Sequence, residues 1–231
     1  MMGYDDQGPI VQEQVSSAES TNMMLTKVFF RMFLGLLATA IAASYVYFSG
    51  ALESLATSGG YIACIIAELV VALVFSFGFR KFSAGVVTAL FFAYSILTGV
   101  TFSVLFIAFE LESIVYAFAG TAAIFGVLAY IGKNTKRDLT KFGTMLMITL
   151  GVAIVVSIIN LFIGNSMLDI ALDWVILFVF MGFTIYDMNK IVAMQNEGFE
   201  SEKLYVYGAM QLYLDFINLF IRILSLFGKR K

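Results

Sequence analysis

The sequence predicts an all-α membrane protein, a bundle of seven transmembrane helices. Of its 231 residues, 61% are hydrophobic and only 13% are charged, whereas soluble domains are about half apolar and about a quarter charged. The apolar residues also form seven runs, each near the ~20 residues that a helix needs to cross ~30 Å of hydrocarbon. These runs are too long for the ~10-residue alternating strands of a membrane β-barrel.

The predicted spans cover residues 26–49, 60–79, 84–108, 113–132, 143–164, 170–192 and 204–227. Glycine-containing polar turns separate several of them, for example at residues 58–60, 132–134 and 164–166. Residues 1–22 are polar and acidic without apolar periodicity, so we expect a disordered cytoplasmic tail there. The remaining chain, residues 23–231, is predicted to form a single seven-helix transmembrane domain.

The distribution of Lys and Arg orients the predicted bundle. Ten of the fourteen basic residues lie near the first span or in the second-to-third, fourth-to-fifth and sixth-to-seventh connections, and the other three connections contain none. Because basic loops stay in the cytoplasm, we expect a cytoplasmic N-terminus. Arg222 and the basic residues 229–231 would then lie outside if the last segment spans the membrane. A re-entrant last segment would return them to the cytoplasm, and the sequence leaves both arrangements open.

The composition excludes several kinds of chemistry. Without any His, the chain has no Ser-His-Asp triad, no His-ligated zinc or haem and no imidazole proton relay. One Cys excludes a disulfide framework. A net charge of -2 without a basic tract predicts no binding to nucleic acid.

Three carboxylates stand well away from the ends of the connections, within otherwise apolar sequence: Glu68 in the second span, Asp187 in the sixth and Asp215 in the seventh. An ionised carboxylate at the centre of a helix costs ~3 kcal/mol or more on insertion scales, so such residues usually face a pore or a partner. Carboxylates at matching depth on consecutive helices cannot both ionise cheaply, so Asp187 and Asp215 are expected to share a proton. A proton-sharing pair in a pathway acts as a pH switch. The alternative for each aspartate is a polar contact between helices or with interfacial water.

Other polar side chains extend this pattern. Asp215 shares a helical face with Gln211, Asn218 and Arg222, and this polar stripe is predicted to line a cavity. Glu68 is interpreted as a cation ligand or proton acceptor, or else as a neutral acid hydrogen-bonded to a backbone carbonyl or to a hydroxyl on a neighbouring helix. Asn160 is an intramembrane amide suited to interhelical hydrogen bonds. Arg80, at the end of the second span, is either a counter-ion for a carboxylate on another helix or a positive-inside anchor.

Four segments carry a resemblance to a known family. Residues 183–191, FTIYDMNKI, and 212–220, LYLDFINLF, resemble the sixth- and seventh-helix motifs of the transmembrane Bax inhibitor motif family. Residues 97–101, LTGVT, and 160–162, NLF, are similar to its third and fifth helices. The likeness extends from the first span to the C-terminus. It is closest to the bacterial branch, which implies a multi-pass protein of the inner membrane.

The resemblance implies a bundle whose seventh helix is central, surrounded by the other six, and a pH-sensitive calcium leak. It assigns Asp187 and Asp215 as the hydrogen-bonded pair that senses pH and gates the pore. It places Glu68 at the pore mouth and Arg80 as a latch on the pair, although Arg80 matches the latch position only to within about one residue.

Calcium prefers oxygen ligands, and a leak requires weak binding. Asp187, Asp215 and Glu68 are therefore predicted to bind calcium transiently, with Asn218 and Asn160 along the pathway. The resemblance implies that calcium is the permeant ion, whereas the carboxylates alone would also suit protons or other cations, and no cofactor is expected. Protonating the pair removes charge that attracts cations but also weakens a bridge to a latch such as Arg80. The sequence thus leaves the direction of the pH effect open.

Other classes of protein fit less well. Intramembrane aspartyl proteases also carry two aspartates on consecutive helices, but they use a Gly-x-Gly-Asp motif where residues 212–215 read LYLD. Proton-coupled transporters commonly show inverted repeats and helices broken by Pro, and here the one Pro is Pro9. We therefore expect a calcium leak channel and not an enzyme. A proton-coupled transporter and a non-conducting scaffold that acts through other membrane proteins are the alternatives.

Overall fold

A computed structural model describes the backbone of residues 9–196 and 202–231, and the side chains of 19–195 and 202–231. Seven helices in it are long and apolar enough to cross a membrane, which confirms the predicted fold class. They are α1 (Pro9–Phe48), α3 (Gly60–Gly78), α4 (Ala84–Phe102), α6 (Leu111–Asn134), α7 (Thr140–Ile163), α8 (Ser166–Asn196) and α9 (Glu202–Phe227). Two short helices, α2 (Ala51–Thr57) and α5 (Leu105–Ala108), lie in connections, and α5 continues the span of α4.

The first helix begins earlier than the sequence predicted. Residues 9–22, expected to be part of a disordered tail, continue α1 from Pro9 without a break. This stretch contains no glycine and no second proline, and proline is well tolerated in the first turn of a helix. Asn22 contacts the bundle, because the Lys133 ammonium on α6 donates to its side-chain oxygen over 2.6 Å. Residues 1–8, the rest of the predicted tail, lie outside the described residues.

The last transmembrane helix is central, as the resemblance implied. α9 packs against α1, α4, α6 and α8, and its residues Leu212, Tyr213 and Leu219 are fully buried. The expectation that all six other helices surround it is too simple. Instead, α3 packs mainly against α4, and α7 mainly against α8. Polar side chains on α9 are therefore enclosed by four helices.

The chain end settles the arrangement of the last segment. α9 runs unbroken to Phe227, and the next residues turn back against the connection between α5 and α6. The Glu110 amide donates to the Lys229 carbonyl over 3.0 Å, and the Lys231 amide donates to Ala108 over 3.1 Å. The Glu110 carboxylate lies 2.7 Å from the Lys229 ammonium and, through this hydrogen bond, raises the pKa of Lys229. The segment is therefore not re-entrant, and the C-terminus lies at the end of the bundle opposite the basic connections.

We call the end that carries Arg80, Lys133, Lys136 and Arg137 the basic end, and the end that carries the C-terminus the opposite end. At the basic end, the Asn189 amide of α8 donates to the Thr135 carbonyl after α6 over 2.5 Å. At the opposite end, Tyr47 in the last turn of α1 stacks on Phe106 of α5 with ring centroids 5.1 Å apart. The long helices thus alternate in direction, as a seven-span topology requires.

We expect Gly99→Ala to destabilise the bundle by about 1–3 kcal/mol, the usual range for overpacking. A Cβ at Gly99 would lie 2.5 Å from the Thr39 carbonyl oxygen of α1 and 2.6 Å from the Ala42 Cβ, so α1 and α4 would have to separate. The measurement is the thermal unfolding midpoint in detergent. Gly120→Ala on α6 is the control, since a Cβ there meets nothing within 4 Å. Equal midpoints for the two variants would contradict this close approach.

Candidate functional site

Asp187 of α8 and Asp215 of α9 are both buried in the protein interior, toward the basic end of the bundle. Their exposed fractions are 6% and 3%. The two carboxyl groups are close enough for negative charge on Asp187 to act on Asp215. The Gln211 amide, one helical turn before Asp215, lies within hydrogen-bonding reach of Asp187. The two predicted partners are thus brought together by the packing of α8 on α9.

One oxygen of this pair lacks a partner among the described residues. Asp215 Oδ2 is buried and accepts no hydrogen bond from them. Buried polar atoms are nearly always hydrogen-bonded, because leaving one unsatisfied costs about 1–3 kcal/mol. A shared proton or a bound cation would satisfy this oxygen. Among the described residues, no three or more Cys, Asp or Glu side chains lie close enough together to hold a metal ion. A cation bound at the pair would therefore have two carboxylate ligands.

The basic groups near the pair differ from the predicted latch. Lys190 lies one turn beyond Asp187, close enough for its positive charge to interact with the Asp187 carboxylate. The Lys190 ammonium lies 3.0 Å from the Tyr207 hydroxyl. Arg80 is exposed and forms no salt bridge within the described part of the chain. The structure therefore does not bring Arg80 to the pair, and its latch role stays a prediction.

Glu68 lies apart from the aspartates, among hydroxyl groups. Thr98 and Thr101 of α4 donate to its two carboxylate oxygens over 2.8 and 3.1 Å. The Tyr94 hydroxyl is within reach of both Glu68 and Thr98. Glu68 is therefore hydrogen-bonded to hydroxyl groups on a neighbouring helix, which was one of the alternatives considered from the sequence. The Glu68 carboxylate is therefore partly buried between α3 and α4, among hydroxyl oxygens.

A hydroxyl network connects this setting to α9. The Tyr213 hydroxyl lies 2.6 Å from that of Thr39 on α1, and Thr39 donates to the Ser95 carbonyl over 2.9 Å. Tyr213 is also within reach of Thr98, which holds Glu68. Neither Tyr213 nor Thr39 was predicted from the sequence to belong to the site. The tyrosine directly before the LDFINLF string was the one available signal.

The two asparagines serve local roles. The Asn160 amide donates to the Asn165 carbonyl over 2.9 Å and to the Asp169 carboxylate over 2.5 Å, so it closes the turn between α7 and α8 at the opposite end. The structure therefore does not bring Asn160 to the aspartates. Asn218 lies one turn past Asp215, but its amide donates to the Leu214 carbonyl of its own helix over 2.8 Å. Its role along the ion pathway stays a prediction.

Sequence reasoning missed the partner of Arg222. Arg222 of α9 forms a salt bridge with Asp173 of α8, and the Ser225 hydroxyl donates to the other Asp173 oxygen over 2.5 Å. These residues line a cavity of ≈ 850 Å³ at the opposite end that also includes Asp169 and Arg230. Asp173 precedes Trp174 near the start of a predicted span, where carboxylates are common because they reach interfacial water. The signal available was an intramembrane arginine that requires an acid.

Comparison with known proteins places the chain among membrane proteins. A family model described as Inhibitor of apoptosis-promoting Bax1 matches residues 21–231. The inner membrane protein YbhL of Escherichia coli K12 is 39% identical over 214 residues, which cover 90% of this chain and 92% of that protein. An uncharacterized protein of Borreliella burgdorferi is 34% identical over 216 residues, covering 91% and 93%. An uncharacterized membrane protein of Streptococcus pyogenes serotype M1 is 34% identical over 171 residues, covering 73% and 74%.

Proposed function

The chain belongs to the Bax inhibitor family of membrane proteins, and on that premise we propose that it is a pH-sensitive calcium leak channel gated by Asp187 and Asp215. We further propose that it functions in the bacterial inner membrane with its N-terminus in the cytoplasm. The observation that carries the proposal is the Asp215 Oδ2 atom, unpartnered among the described residues and buried beside a second carboxyl group. A purely structural contact between helices favours full hydrogen bonding, whereas a switch needs a position that a proton or a cation can take and leave.

The electrostatics of the pair give the proposal a direction. One proton between the carboxyl groups joins α8 to α9, and its loss places two like charges together in a medium of low dielectric constant. Their repulsion favours separation of the helices, and the added negative charge attracts a cation. Lys190 places a positive charge one turn beyond Asp187 on α8, and Arg80 forms no salt bridge within the described ranges, so its latch role stays a prediction. We therefore expect the leak to rise with pH.

Glu68 is proposed as a second, weak calcium ligand, separate from the gate. We expect Glu68→Gln to lower the calcium flux severalfold at every pH while leaving its pH dependence intact, because Gln keeps acceptor and donor atoms for Thr98 and Thr101 but loses the charge. The measurement is initial calcium influx against pH. Glu53→Gln, which removes an exposed charge on α2, is the matched control. A Glu68→Gln variant with a changed pH profile would show that Glu68 belongs to the gate.

The function itself is tested with purified protein in liposomes that contain a fluorescent calcium indicator. Calcium influx is recorded from about pH 6 to 8, a range that brackets a titrating buried carboxyl group, with protein-free liposomes as the baseline. We expect influx above the baseline that increases with pH. Influx that stops unless an opposing proton gradient is supplied would favour the proton-coupled transporter. An absence of influx at every pH would overturn the leak proposal and favour a non-conducting scaffold.

A further inference from the structure

Two adjoining cavities open at the basic end of the bundle, and neither is lined by Asp187 or Asp215. The first is a groove of ≈ 740 Å³ between α1 and α6, and the second, of ≈ 610 Å³, surrounds the connection between α6 and α7. Lys133 lines both of them. An elongated apolar groove therefore ends at a polar cavity with a basic residue at the junction.

The groove has the chemistry of a binding site for an acyl chain. Its walls are apolar and face outward, and they include Phe30, Phe33 and Tyr130, which are 60%, 59% and 70% exposed. Gly126 leaves its floor open, since a Cβ there would meet nothing within 4 Å. The groove lies along two transmembrane helices, so lipid chains reach it directly.

The polar cavity has the chemistry of a binding site for an anion. Lys133, Lys136 and Arg137 line it, and Asp138 is the one carboxylate among its lining residues. The Asp138 carboxylate is already engaged, because it accepts hydrogen bonds from the Thr140 amide over 2.9 Å and the Thr140 hydroxyl over 2.6 Å. Three basic groups therefore face the cavity against one carboxylate, so its lining is net positive.

We propose that these cavities bind one anionic phospholipid, with its phosphate against Lys133, Lys136 and Arg137 and an acyl chain in the α1–α6 groove. Basic pockets between transmembrane helices are known to accept anionic head groups, and the charge here selects against a zwitterionic lipid. Met188 lines the groove and Asn189 lines the polar cavity. Both directly follow Asp187 on α8, so the bound lipid contacts the helix that carries one half of the aspartate pair. The proposal concerns binding alone and stands whether or not the protein conducts calcium.

Quenching of tryptophan fluorescence by brominated lipids tests the site. The reporter is Tyr130→Trp in a Trp174→Phe background, which removes the one native tryptophan. The control reporter is Tyr116→Trp in the same background, because Tyr116 is 71% exposed on the same helix but does not line either cavity. Each is reconstituted with brominated phosphatidylglycerol or with brominated phosphatidylcholine.

At position 130 we expect the anionic lipid to associate at least about fivefold more strongly than the zwitterionic lipid, since each basic residue near the surface contributes about that factor. At position 116 we expect no preference. Replacing Lys133, Lys136 and Arg137 by Gln should abolish the preference at position 130. Equal preference at the two positions would overturn the proposal, because it would show a general enrichment of anionic lipid around the protein.

A second variant tests the groove separately from the charges. Gly126→Phe fills the groove and is expected to reduce lipid bound in native mass spectrometry severalfold. Gly120→Phe on the same helix is the control, since neither position has atoms within 4 Å of an added Cβ. Unchanged binding in Gly126→Phe would exclude the acyl chain from the groove and contradict the site as proposed.

Discussion

Asp215→Asn is expected to abolish the pH dependence of the calcium leak. In the wild type, one titrating proton changes the population of the open state by up to about tenfold per pH unit. Asparagine is nearly isosteric but does not titrate, so Asp187 keeps a neutral partner on α9 at every pH. The flux of the variant should stay close to the low level of the wild type at acidic pH. The measurement is initial calcium influx into liposomes across the pH range.

Two comparisons make this result specific to the pair. Asp187→Asn should flatten the pH profile in the same way, because the proton belongs to both carboxyl groups. Glu53→Gln removes an exposed carboxylate far from the pair and should leave the profile unchanged. A wild-type pH profile in Asp215→Asn would remove the pair from the gate.

Arg222→Met is expected to destabilise the protein by about 2–3 kcal/mol, somewhat below the range for a fully buried ion pair. The variant leaves the Asp173 carboxylate, whose side chain is 14% exposed, without its counter-ion. The Arg222 side chain is itself 29% exposed, so water screens part of the interaction. The thermal unfolding midpoint in detergent or nanodiscs measures the change.

A double-mutant cycle separates the salt bridge from the loss of arginine packing. Asp173→Asn keeps an acceptor for the Ser225 hydroxyl and removes the charge. We expect the double variant, Arg222→Met with Asp173→Asn, to be more stable than Arg222→Met alone, because no unpaired charge remains. Additive losses in the two single variants would mean that the salt bridge does not stabilise the opposite end of α9.

The helices were predictable because hydropathy dominates their placement. The boundaries of the second span and of the last span agree with α3 and α9 within two residues. The start of α1 was not predictable, since contacts such as that of Lys133 with Asn22 involve residues distant in sequence. The direction of the chain end was also open, because pairing of Lys229 with Glu110 across more than a hundred residues leaves no local signal.

The candidate site was predictable where burial alone identifies a residue. Inserting a carboxylate within an apolar run costs free energy whichever way the side chain points. Asp187, Asp215 and Glu68 could therefore be identified from the sequence. Their partners depend on helix packing, which the sequence does not specify. Asn160, predicted to make interhelical hydrogen bonds and to lie along the pathway, bonds to the turn between α7 and α8. Asp173, which pairs with Arg222, was not predicted.

If the aspartate pair gates the leak, a proton leaves the pair over the pH range in which the leak opens. Infrared difference spectroscopy of the reconstituted wild type measures this directly, through the stretching band of a protonated carboxylic acid. We expect that band to disappear as pH rises, with the same midpoint as the calcium flux, and to be missing from the difference spectrum of Asp215→Asn. A band that is unchanged over the range in which the flux changes would contradict the claim.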